Sequence, residues 1–276
     1  MSKLTPEDVV LRYSKRGMNI LKKYLRDGYC RTAAEKLLHA ERGTVLLTTG
    51  FYVAGYAETD GPLGTVAVAE ALNHLGFHSV VVTDKYCKGF FELKQLDVEY
   101  VDIAADEQVY EDILDKYHPV YMIAIERCGE NAEHEYANMR GVSITSETAA
   151  IDHLFELAPE KHIPTIGVGD GGNEIGMGNV KDIISEKLEL NPCVVPVDDL
   201  IIATTSNWGA YALTAWLQKL SGEEVLFTYE EAEPYLAATL EIGSVDGVLK
   251  EKKMGVDGFD MTVEKEILDS LAEAIA

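Results

Sequence analysis

Five glycines fall between Gly169 and Gly178, and among them stand Asp170, Asn173 and Glu174. Glycine at this density marks a main chain that bends sharply or lies close against something. An apolar run, Thr165 to Val168, leads into the block and reads as a buried strand. Two carboxylates at such a strand end suit general acid and base work, which makes Asp170 and Glu174 catalytic candidates. Gly171, Gly172 and Asn173 are candidates for contacts to a substrate, the glycines through N–H groups that approach a developing oxyanion. The plainer reading is a strand-to-helix turn with solvated acids.

Other groups join this block. Glu58-Thr59-Asp60-Gly61-Pro62 precedes a helical stretch, with proline in the first turn where its missing N–H costs nothing. Thr59 or Asp60 can cap that helix, and the N–H groups at its start, Gly61 included, can seat a carboxylate. Glu126-Arg127 ends an apolar run. Glu126 is a third catalytic candidate, and Arg127 suits a two-pronged carboxylate clamp, a structural ion pair being the alternative. Asn138 and Arg140 follow on a loop, with Arg140 as a second clamp. Ser206 and Asn207, before Trp208, can cap a helix or hydrogen-bond a ligand. Asp60, Asp84, Glu126 and Asp170 offer oxygen ligands of the kind Mg²⁺ or Mn²⁺ takes, with Glu174 beside them, and no histidine stands among them to suggest zinc. Gly167-x-Gly169-x-x-Gly172 matches the dinucleotide fingerprint weakly, because it follows a late strand and places Asp170 where a pyrophosphate must approach. No nucleotide cofactor is favoured.

These residues need a frame to hold them. From residue 44 the chain alternates short Val/Ile/Leu-rich runs (44–49, 79–83, 98–103, 120–125, 165–168, 200–204) with helical stretches (62–75, 89–95, 108–117, 147–157). This pattern predicts an α/β fold, a mostly parallel sheet with helices on both faces in a Rossmann-like three-layer sandwich. Ligands in such sheets bind beyond the carboxyl ends of the strands, where Asp84, Glu126, Asp170 and Ser206 fall. Residues 1–42 read as a helical lead-in, 43–221 as the α/β core, and 222–276 as an irregular segment plus a closing helix from about Val263, all in one domain of 276 residues.

The formal charge of −23 argues against a nucleic-acid or anionic-membrane surface, though not against a small anionic substrate. Cys30, Cys87, Cys128 and Cys193 show no paired spacing and read as reduced thiols, which with no signal-peptide pattern points to the cytoplasm. No apolar run reaches membrane-spanning length.

Taken as a set, the blocks Glu58–Pro62, Ala124–Arg127, Tyr136–Arg140, Gly167–Gly178, Ser206–Gly209 with Tyr211–Leu213, and Val256–Gly258 resemble the C-terminal domain of the D-glutamate cyclase family. The resemblance implies a hydro-lyase that closes D-glutamate, or a related amino diacid, to 5-oxo-D-proline and water. Animal members carry a further N-terminal domain, so the chain resembles one half of a larger enzyme, and a separate partner chain or a homo-oligomer fits that picture. After Glu126-Arg127 the family pattern carries another Arg and an Asp-Gly pair, where this chain has Gly129-Glu130-Asn131-Ala132-Glu133-His134. Two other readings stay open: a metal-assisted enzyme on a different small anionic substrate, and a non-catalytic domain that binds a small ligand or nucleotide.

Overall fold

The computed structural model describes residues 4–276. Its centre is a six-stranded sheet: β1 (Thr44–Thr48), β2 (His78–Thr83), β3 (Asp97–Tyr100), β4 (Tyr121–Ile125), β5 (Thr165–Gly169) and β6 (Asp199–Ile202). The spatial order is β3-β2-β1-β4-β5-β6, with every neighbouring pair parallel. β1, β4, β5 and β6 are buried along almost their whole length, as strands covered on both faces must be. The three-layer α/β fold is therefore as expected.

Among the described residues ten α-helices accompany the sheet: α1 (Pro6–Val10), α2 (Met18–Leu21), α3 (Tyr29–His39), α4 (Pro62–His74), α5 (Gln108–Tyr117), α6 (His153–Lys161), α7 (Lys181–Leu188), α8 (Ser206–Ser221), α9 (Tyr229–Ile242) and α10 (Met261–Ile275). α8 packs against both α3 and α4, while α5 pairs with α6. α8 is buried nearly all round because α1 and α10 cover its outer side. One apolar cluster accordingly runs from Val9 to Ile275, and the lead-in helices belong to it.

Two expectations need correction. Residues 229–242 are not irregular but form α9, which a Thr228–Glu231 capping box starts and Gly243 ends. Pro234 inside it obscures the helical pattern. The helix expected from residue 147 begins at His153, since residues 145–147 form a single 3₁₀ turn.

The chain leaves β1 toward β2 and leaves β4 toward β5, so the direction of winding reverses between these two adjacent strands. A crevice opens at such a point, beyond the carboxyl ends. The loops after β1, β4, β5 and β6 converge there.

Candidate active site

The residues after β1 and β6 lock together first. Asp60 accepts hydrogen bonds from the Ser206 and Asn207 N–H groups at 2.8 and 2.7 Å, so it caps α8. Asn207 Oδ1 accepts from Gly61 N and Gly64 N at 2.9 and 2.8 Å, so it caps α4 in return. Asn207 Nδ2 also donates to Thr59 O at 3.0 Å. Gly61 has φ 96°, and a Cβ there would fall 2.4 Å from Thr49 Oγ1. The expected carboxylate seat at the start of α4 is thus filled by Asn207.

Glu126 and Arg127 part company at the end of β4. Glu126 adopts φ 47°, a left-handed conformation unusual for a residue with a side chain. It lines a cavity of about 260 Å³ at the sheet edge. Its Oε2 accepts from Ser206 Oγ at 2.5 Å. Arg127 is fully buried instead, donating to Asp84 Oδ2 and Gly50 O at 2.7 Å and to Ala149 O at 2.6 Å. This corrects two expectations. Arg127 cannot clamp a substrate because its guanidinium already holds Asp84 and the main chain. Asp84 is held in that pair and stands apart from the metal-type cluster.

The glycine block also differs from its simplest reading. Glu174 accepts from Gly171 N and Gly172 N at 2.8 and 2.7 Å, closing the loop on itself. Those N–H groups therefore do not point at a substrate oxygen, and Glu174 is a loop cap outside the cavity. Asn173 does line the cavity. Its Nδ2 donates to Ala137 O at 2.7 Å, while its buried Oδ1 has no partner among the described residues.

Asp170 is fully buried, and Arg16 Nη1 donates to both its oxygens at 2.8 and 2.7 Å. The same nitrogen lies 2.7 Å from Asp257 Oδ2. Arg16, Glu58 and Asp257 all line the cavity, and sequence reasoning passes over them as site residues. The only signals were the family blocks that begin at Glu58 and contain Asp257; nothing local marks Arg16. Asp60, Glu126 and Asp170 each place a carboxylate oxygen within 4.8 Å of the others, so three of the four expected metal ligands come together.

The electrostatics follow from this crowding. Burial raises Glu126 well above the ordinary carboxyl range, and Asp170, Glu174, Asp60 and Glu58 raise it further. Burial, then Asp257 and Asp60, do the same to Glu58. Burial lifts Asp60 to about 8 against the pull of its backbone donors. Asp170 is raised by burial, with Arg16 opposing. Acids this close share protons or hold a cation.

The cavity rim carries the opposite sign. Arg140 and Lys250 line it, and among the described residues neither has a carboxylate within ion-pair distance. Asn138 also lines it, its Oδ1 accepting from Arg140 N at 2.9 Å. The Gly129–His134 segment lies elsewhere: Glu130 N meets Asp152 Oδ2 at 2.8 Å and Val194 N meets Glu130 O, so its departure from the family pattern takes no charge from the cavity lining.

The sequence profile of the D-glutamate cyclase-like, C-terminal family matches residues 7–272. A human protein, mitochondrial D-glutamate cyclase, is 34% identical over 212 residues, which are 67% of this chain and 34% of that protein. The chain thus spans about a third of that relative's length. Among solved structures, UDP-glucose 4-epimerase from Brucella ovis is similar at a TM-score of 0.34 and 14% identity, over 54% of this chain and 49% of that one. The E. coli tRNA N6-threonylcarbamoyladenosine dehydratase TcdA gives a TM-score of 0.31 and 10% identity, over 75% and 96%. Similarities this slight say nothing about chemistry. No helix among the described residues is long and apolar enough to cross a membrane.

Proposed function

This chain belongs to the D-glutamate cyclase-like, C-terminal family, and from that premise we propose that it is a hydro-lyase closing D-glutamate, or a related amino diacid, to 5-oxo-D-proline and water. One observation carries the reading: a cavity with carboxylates on its floor and, at its rim, cations unpaired among the described residues. An amino diacid is its complement, the ammonium toward Glu126, a carboxylate toward Arg140 and Lys250.

Cyclisation requires the α-ammonium nitrogen to lose two protons, one before it attacks the γ-carboxyl carbon and one after, and an oxygen to take up two and leave as water. Glu126 is the base in this proposal, since the Ser206 hydroxyl donates to it and so favours its ionised form. Glu58 is the acid. No hydrogen bond from the described residues supports its ionised form, so it keeps a proton for the departing oxygen. Arg16 keeps Asp170 and Asp257 in place beneath. Burial of the cluster limits water, which strengthens each of these contacts.

The oxygen-only set of Asp60, Glu126 and Asp170 fits Mg²⁺ or Mn²⁺, because the backbone donors that orient Asp60 leave it further lone pairs. Bound there, such an ion would polarise a carboxyl oxygen as a Lewis acid. All four cysteines are free and buried, which suits a reducing compartment; we propose the cytoplasm, the human relative's mitochondrial placement being its own.

Proton NMR of the purified chain with D-glutamate, with and without Mn²⁺ or Mg²⁺, tests the proposal. Formation of 5-oxoproline above a no-enzyme control supports it. Folded protein that makes none contradicts self-sufficient catalysis, and a partner carrying the family's N-terminal domain is then the component to add.

A further inference from the structure

Glutamate asks a site for contacts to one ammonium and two carboxylates, and for cover over two methylenes. The cavity offers more. Phe51, Tyr52, Val53 and Ile144 belong to a small apolar cluster separate from the main core, and all four line the cavity. Met139 stands with them. Two methylenes cannot cover such a wall, and apolar lining in a pocket marks the part of a ligand it encloses. Independently, Asn173 is only 7% exposed and its Oδ1 has no partner among the described residues, although its Nδ2 is anchored. Buried acceptors are ordinarily paired. A neutral acceptor suits an amide N–H, whereas the ammonium is already served by carboxylates.

We propose that the site also cyclises γ-glutamyl amides whose amine carries an apolar group, an inference resting on the cyclising chemistry above. The α-amine nitrogen bonds to the γ-carbonyl carbon and the carbon–nitrogen bond of the amide breaks. The α-nitrogen gives up two protons, one from the ammonium before attack and one from the tetrahedral adduct, and both go to the departing nitrogen. The products are 5-oxoproline and the alkylammonium ion, with no oxidation or reduction. Phe51, Ile144 and their neighbours hold the apolar group, and Asn173 accepts from the amide N–H.

The test compares D-glutamate with the γ-D-glutamyl methyl-, propyl- and pentylamides, following 5-oxoproline by proton NMR. The three leaving amines have similar basicity, so differences report burial. Expected is kcat/KM rising about four-fold per buried methylene. Val53→Asp, on a half-buried hairpin strand, should lower pentylamide turnover more than methylamide turnover. Turnover of D-glutamate with none of any amide overturns this inference and leaves the hydro-lyase reading standing. Turnover of amides without free glutamate supports it and overturns the water-releasing reading. Amide turnover that is flat along the series overturns the role of the apolar wall. No product from any substrate overturns this inference, together with self-sufficient catalysis by this chain.

Discussion

Asp60 and Asn207 cap each other's helices: the carboxylate closes the start of α8, and the amide oxygen closes the start of α4. Both side chains are buried, so water cannot replace either. The pair fixes the loop after β1 against the loop after β6, and with it Ser206 beneath Glu126.

Asn207→Ala strands the N–H of Gly64 and leaves that of Gly61 with Asp60 Oδ1 alone. The lost cap and the buried unsatisfied donor together predict a loss of about 2–3 kcal/mol in urea unfolding. A loss below about 0.5 kcal/mol would show that the two helices do not depend on this exchange.

Arg127 and Asp84 form a fully buried pair, so they act on stability before they act on substrate. Removing one partner leaves a buried charge, and Arg127→Met should lower unfolding free energy by about 3 kcal/mol or more. Asp84→Asn should leave KM for the substrate within about two-fold, a shift of some 0.4 kcal/mol. A large rise in KM from well-folded Asp84→Asn would return Arg127 to the substrate.

The acid cluster gives stability an unusual pH dependence. Asp60 rises from its ordinary 3.8 to about 8, so between those values the folded chain holds a proton that the unfolded chain has released. Its stabilisation is full below pH 4 and is lost as pH rises through about 8. Glu58, Glu126 and Asp170 are raised too and add with the same sign. The melting temperature of metal-free protein should therefore fall from pH 5 to pH 8.5, and less steeply in Asp60→Asn. A rise over this range would contradict the crowding.

Arg16 and a divalent cation compete for Asp170 in the proposed metal site. Manganese binding followed by EPR at pH 8 should weaken about ten-fold or more in Asp170→Asn, the order expected when a site's carboxylate is lost. Arg16→Gln should bind the ion more tightly, since the competing guanidinium is gone. Unchanged affinity in both variants would remove the cluster as a metal site.

The parallel sheet was legible because strands buried on both faces are written as unbroken apolar runs, as in Tyr121–Ile125. Glu126 was legible because an acid at the end of such a run needs a reason to be there. The direction of Arg127 was not, because the left-handed backbone at Glu126 decides which of the two enters the cavity. Arg16 was invisible for another reason: it reaches Asp170 across 154 positions from a bend that carries no motif. The roles of Gly171 and Gly172 turned on Glu174, whose carboxylate answers the N–H groups that a substrate oxygen would otherwise meet.

The central claim is that Glu126 moves the proton of the substrate amine. Its most direct test is the NMR time course of 5-oxoproline formation from D-glutamate by wild-type protein and by Glu126→Gln, with folding of both verified by circular dichroism. Removing a general base predicts a fall in kcat of about 10²–10⁴-fold with KM little changed. A Glu126→Gln enzyme that cyclises D-glutamate at close to the wild-type rate would contradict it.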